Sequence, residues 1–280
     1  VIAAIIAERF SEKKGEMLGQ YSSATLIGRT LAPLAGGAII SFFILYPGLI
    51  PFKMVYVAAA IAAVPVVLLI LAYREVTPGR LAIPPFSLFY QSFITFFSHR
   101  RLRATALVDM ATYFAFGAFE TFLPLLLFSR GMDAYQTGVL FAVQVIVIAA
   151  TKPVFGRMAD RADKRVQIVA GLLLLGCSVA ALPFSASFAM LLLASSLCGL
   201  GMSLSTVATS AYVADMAREG EMGASMGALS SVMDIGHSAG PLVTGVIIAT
   251  SGFVPGFFTS FLIAAVVCVV FAISVRDPRS

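Results

Sequence analysis

The chain has 280 residues, 59% of them hydrophobic and only 12% charged, with a net charge of +5 and a mean hydropathy of +0.96. A soluble fold of this size covers its core with polar surface, and here there is too little of it, so the chain must meet lipid. The basic excess sits in short loops rather than in a stripe, which argues against nucleic acid as a partner.

A helix that crosses the hydrocarbon core needs about 20 mostly apolar residues. On that rule the sequence predicts eight full spans, at 18–44, 54–73, 103–128, 136–156, 166–185, 187–213, 223–250 and 254–275. The opening VIAAIIA reads as the last turns of an earlier span. Residue 1 is Val, and neither the charged region nor the cleavage site of a signal peptide is visible, so the sequence reads as a fragment that has lost its N-terminal part. Cys177, Cys198 and Cys268 fall inside apolar runs and read as small buried hydrophobes, with no metal site among them.

Alternate loops hold fifteen of the nineteen basic residues, and the opposite loops hold only Lys53 and Arg130. By the positive-inside rule the basic loops and the C-terminus are cytoplasmic. The chain divides at its one long connection. Residues 1–75 form the remainder of an N-terminal bundle, 76–102 a central linker, and 103–280 a C-terminal six-helix bundle. The linker opens with Pro78, Gly79, Pro84 and Pro85. Its second part sets Phe86, Phe89, Phe93, Phe96 and Phe97 on one helical face, which predicts an interfacial amphipathic helix or an apolar linker packed on the bundles.

Residues 19–40 and 227–248 repeat one another, with ten of twenty-two positions identical and no gap. The offset of 208 residues covers six predicted spans, so both copies cross in one direction. A parallel repeat of six spans implies two pseudo-symmetric halves related by an axis along the membrane normal.

Ionisable groups at membrane depth are costly and usually functional. Asp109 and Glu120 are eleven residues apart, close to three turns, and so lie on one helix face with Tyr113 and Phe116. Such a face would line a central cavity, where a low dielectric penalises the charged carboxylate and makes it a candidate proton carrier. Asp234 and His237 are one turn apart, which suits either proton coupling or a polar contact between helices. Arg29 occupies the place of His237 in the first repeat copy. Gly28, Gly36, Gly236 and Gly240 recur at spacings that permit close helix contact, and Pro33 and Pro241 are expected to bend their helices.

Between two apolar spans runs GRMADRADKR, 156–165. It resembles the cytoplasmic loop motif of the major facilitator superfamily, Gly-x-x-x-Asp-Arg-x-Gly-Arg-Arg. Gly156, Asp160, Arg161 and Arg165 match, Asp163 replaces the second Gly, and Lys164 stands for an Arg. GRTLAPLAGG (28–37) resembles the family's fifth-helix motif, with Gly28, Pro33, Gly36 and Gly37 matched and Ala32 in place of a Gly. The eleventh-helix copy, GHSAGPLVTG, keeps Gly236, Gly240, Pro241 and Gly245 and departs at Thr244.

The resemblance covers the whole chain, from the end of helix 4 through helix 12. It implies an all-α membrane protein of two six-helix halves, the first incomplete. It also implies that the loop latches the halves together, with Gly156 in a tight turn and Asp160 facing a helix N-terminus of the other half. A plain positive-inside anchor is the alternative for that loop.

The family associates the fifth-helix motif with antiporters. The expected function is therefore secondary active transport of small organic compounds by alternating access. The expected form is proton-coupled efflux by a monomer in the cell membrane, with a small-molecule substrate, protons, lipid and no cofactor. Proton-coupled or passive uptake of a polar metabolite is the alternative. A polytopic membrane enzyme would show clustered catalytic residues, and no HExxH, Ser/His/Asp set or metal cluster is visible.

Overall fold

The computed structural model describes residues 28, 31–72, 94, 96–216 and 222–275. Arg29, most of the linker and residues 19–27 of the first repeat copy lie outside the described residues. All regular structure within them is helical, as lipid demands: a helix satisfies its own backbone groups where no water can.

A short helix α1 spans Leu31–Phe42, and α2 spans Ile50–Ala72. Then come α3, Arg100–Ser129, α4, Ala134–Arg161, and α5, Lys164–Ala181, continued by a 3-10 turn at Leu182–Phe184. The set closes with α6, Phe188–Met216, α7, Met222–Ser251, and α8, Phe253–Val275. Seven of these are long and apolar enough to cross a membrane. The first predicted span, 18–44, is represented in the described residues chiefly by α1, with helical Gly28 before it.

Helix α3 is central and packs against α5, α6, α7 and α8, while α6 joins α4 to α5. Phe119, Leu123, Leu127, Leu140, Leu191 and Phe257 pack the core at the end away from the basic loops. Helices here cross at small residues. A Cβ added at Gly171 of α5 would lie 2.5 Å from the Ser205 backbone nitrogen of α6. Between lipid-exposed helices, association rests on such close van der Waals contact rather than on the hydrophobic effect. Lipid-compatible side chains cover the rest: Tyr56, Ile61, Leu68 and Leu71 of α2, and Val266, Val269 and Ile273 of α8, are exposed.

The connections are tight. Gly252, at φ +92, alone separates α7 from α8, a backbone state that L side chains rarely adopt. Asp133 caps α4 in a reciprocal box with Gln136. Arg130, just past α3, donates to the carbonyls of Ser185 (2.6 Å) and Pro183 (2.5 Å) and so ties α3 to the α5–α6 turn.

The basic end differs from expectation in three respects. Helix α4 runs on to Arg161, so Gly156 lies inside a helix rather than in a turn. Nothing crowds Gly156: an added Cβ would find its nearest neighbour, Val207 Cγ1, at 4.0 Å. The residue that caps α5 is Asp163, whose carboxylate accepts from the Arg165 amide at 2.9 Å. Asp160 sits exposed on the last turn of α4. The helix end of the other half that it was expected to face lies outside the described residues.

Phe96, at the described end of the linker, is 2% exposed and packs among Leu102, Val213, Leu229 and Val232. That end of the linker is inserted into the bundle.

Candidate functional site

The site lies where α3 meets α7. Gly236 and Gly240 of α7 face the backbone of Met110 and Phe114, and Gly117 of α3 faces the His237 carbonyl. Missing side chains on both helices let the backbones approach. An added Cβ at Gly117 would lie 2.5 Å from His237 O and 3.1 Å from Pro241 Cδ.

This approach brings two ionisable groups together. His237 Nε2 is 3.0 Å from Glu120 Oε2. An ionised carboxylate only accepts, so the Nε2–H donates. The two side chains are 44% and 47% exposed, His237 first. They form a polar pair on an open face of the bundle, within the length of both spans. Phe116 packs 5.8 Å from the imidazole, and Tyr113 meets Phe116 edge-on at 6.5 Å. The pair thus has an aromatic floor.

The sequence expectation that Asp109 and Glu120 share one cavity is corrected. Asp109 is 4% exposed. Its carboxylate accepts from the Thr209 hydroxyl of α6 at 2.9 Å. One turn further along, Thr112 and Ser205 make a second buried bond between α3 and α6 at 2.9 Å. Along α3 the two carboxylates are about 16 Å apart at 1.5 Å per residue. Asp109 therefore belongs to a buried polar seam and Glu120 to the open face. The expected Asp234–His237 pair is corrected as well: the ring of His237 meets Glu120, and Asp234 is exposed one turn away. Arg29 lies outside the described residues.

The fifth-helix motif has a packing use. An added Cβ at Gly37 would lie 2.5 Å from the Ala134 carbonyl of α4, and one at Gly138 would lie 2.5 Å from the Pro33 carbonyl. Helix α1 is thereby seated on the start of α4. Gly36 abuts the Val55 side chain of α2, Gly245 meets Phe122, and an added Cβ at Gly28 would meet nothing within 4 Å among the described residues. Arg161 and Arg165 are exposed at the α4–α5 turn, where Lys164 pairs with Asp215 at 2.7 Å.

Sequence reasoning missed Gly117, Thr209 and Ser205. The signal for the first was a small residue three positions before Glu120. For the others it was the hydroxyl-rich run SLSTVATSAY. Among the described residues no group of three or more metal-ligating side chains occurs.

Fold and site together define a polytopic helical membrane protein with an ionisable pair, Glu120–His237, joining two of its spans. The sequence pattern described as Major Facilitator Superfamily matches residues 1–147 and 105–280. The chain belongs to this family of membrane transporters. It is similar to the synaptic vesicular amine transporter of Homo sapiens, 34% identical over 113 residues, 39% of this chain and 22% of that protein. The Mus musculus protein of the same name matches equally, at 34% over 113 residues, again 39% of this chain and 22% of that protein. The probable vesicular acetylcholine transporter-A of Danio rerio is 30% identical over 118 residues, 42% of this chain and 23% of that protein. The matched stretch spans less than a quarter of each relative's length.

Proposed function

We propose that the protein is a proton-coupled antiporter that moves small organic amines out of the cytoplasm by alternating access. The observation that carries this reading is the half-exposed Glu120–His237 pair beside Phe116 and Tyr113. A carboxylate beside aromatic faces suits an ammonium group, through charge and cation–π attraction. The names of the relatives, amine and acetylcholine transporters, support the same class of substrate.

The chemistry is a competition for one carboxylate. In the proton-loaded state His237 is doubly protonated and pairs with Glu120. An arriving ammonium takes over Glu120, and His237 releases its extra proton. Net site charge is zero in both states, so neither crossing carries a bare charge through a low-dielectric region. The basic loops support a cytoplasmic position for the α4–α5 turn and the C-terminus. Exposed Asp160 at that turn is the group best placed to latch the two halves, with Arg161 and Arg165 beside it. Export then loads either the cell exterior or, as the relatives' names suggest, a vesicle lumen.

The test is proton release on binding. Full-length protein in weakly buffered detergent, with a pH indicator, should release protons when a small aromatic amine is added. His237→Gln should bind the amine and release none, and Glu120→Gln should lose binding. Equal proton release by His237→Gln and wild type would remove the pair from the mechanism.

A further inference from the structure

Between α5 and α8, at the basic end of the bundle, lies an open groove of about 610 Å³. Val169 and Leu173 of α5 and Phe271 and Val275 of α8 line it, and Asp163 and Arg165 stand at its mouth. Both helices are membrane spans, and their outward side chains, such as Val166, Val270 and Ile273, are exposed and apolar. What covers such a surface at membrane depth is lipid.

The mouth adds charge to this. The Asp163 carboxylate is occupied as the cap of α5. Lys164 is held by Asp215. The Arg165 guanidinium is exposed and has no hydrogen bond or ion pair among the described residues. From Arg165 to Leu173 is about 12 Å along the helix, close to the depth of one leaflet's hydrocarbon, about 15 Å.

We infer that this groove is a phospholipid site: the lipid phosphate sits on Arg165 and one acyl chain lies between α5 and α8. The forked guanidinium matches a phosphate ester's oxygens in a bidentate contact. The inference does not rest on the amine site, since it uses neither Glu120 nor His237, and its readout is lipid labelling rather than transport.

The test uses full-length protein in phosphatidylcholine nanodiscs doped with a phosphatidylglycerol that carries a diazirine midway along one acyl chain. After illumination, mass spectrometry maps the labelled peptides. Labelling should concentrate on α5 and α8. Arg165→Gln should lower it about fivefold, the effect of one interfacial basic residue, and Arg165→Lys should keep most of it. Ala170→Phe, at an exposed position on the same wall, should fill the groove and prevent labelling there. Excess inorganic phosphate should have no effect. The inference is overturned if labelling is as strong on α2 as on the groove, if it is unchanged in both Arg165→Gln and Ala170→Phe, or if phosphate abolishes it, which would mark a simple anion site.

Discussion

Replacing Gly117 with alanine puts a methyl group where α3 and α7 touch. The added carbon lies 2.5 Å from the His237 carbonyl oxygen, whereas ordinary contact begins at 3.4 Å. The obstacle is backbone and cannot rotate away, so the helices must part by about 0.9 Å, the gap between those distances. Overpacking of this kind costs about 1–3 kcal/mol. The same movement reaches the site. Glu120 lies one turn along α3, and its 3.0 Å bond to His237 is stretched past the ~3.2 Å limit of a good hydrogen bond.

Gly117→Ala should therefore lower the unfolding midpoint in detergent and, in the same preparation, impair transport driven by a pH gradient. Gly156→Ala is the control. Its new methyl makes only an ordinary contact, with Val207 Cγ1 at 4.0 Å, and exchanging glycine for alanine inside a helix gains roughly 0.5–1 kcal/mol. Wild-type stability and transport in Gly117→Ala, or a larger loss from Gly156→Ala, would refute the close-packing account of this contact.

Three further outcomes are expected. Thr209→Val, which removes the hydrogen bond to buried Asp109, should destabilise by about 1–3 kcal/mol, while Asp109→Asn, whose amide oxygen still accepts from Thr209, should fold nearly as wild type; detergent unfolding curves separate the two. Arg130→Ala deprives the Pro183 and Ser185 carbonyls of a charged donor and should cost about 1.5–3 kcal/mol, whereas Lys164→Ala breaks a pair whose Asp215 end is exposed and should cost about 1 kcal/mol. Asp163→Ala should lose about 0.5–2 kcal/mol of helix capping and Asp163→Asn almost none, which hydrogen exchange at the start of α5 reads directly.

The spans were legible because apolar length is a one-dimensional property. The predicted 254–275 and 223–250 fall within a residue of α8 and α7. The close approach at Gly236 and Gly240 was legible from spacing, since small residues four apart share one helix face. What was illegible depended on where a helix stops or how it is rotated. Asp160 and Asp163 both precede basic residues in GRMADRADKR, and only the continuation of α4 to Arg161 makes the second one the cap. The shared stripe of Asp109 and Glu120 is real along α3, but different neighbours cover its two ends: α6 buries Asp109, and α7 brings His237 to Glu120. That last contact joins residues 117 positions apart, and nothing local to either one specifies it.

The central claim, exchange of a proton for an amine at Glu120–His237, is tested most directly by accumulation of a radiolabelled aromatic amine in proteoliposomes of the full-length protein. With the lumen acid, wild type should concentrate the amine and release it when an uncoupler collapses the gradient, while His237→Gln should exchange amine across the membrane without concentrating it. Accumulation by His237→Gln equal to wild type, or wild-type uptake that is the same with and without the gradient, would contradict the account.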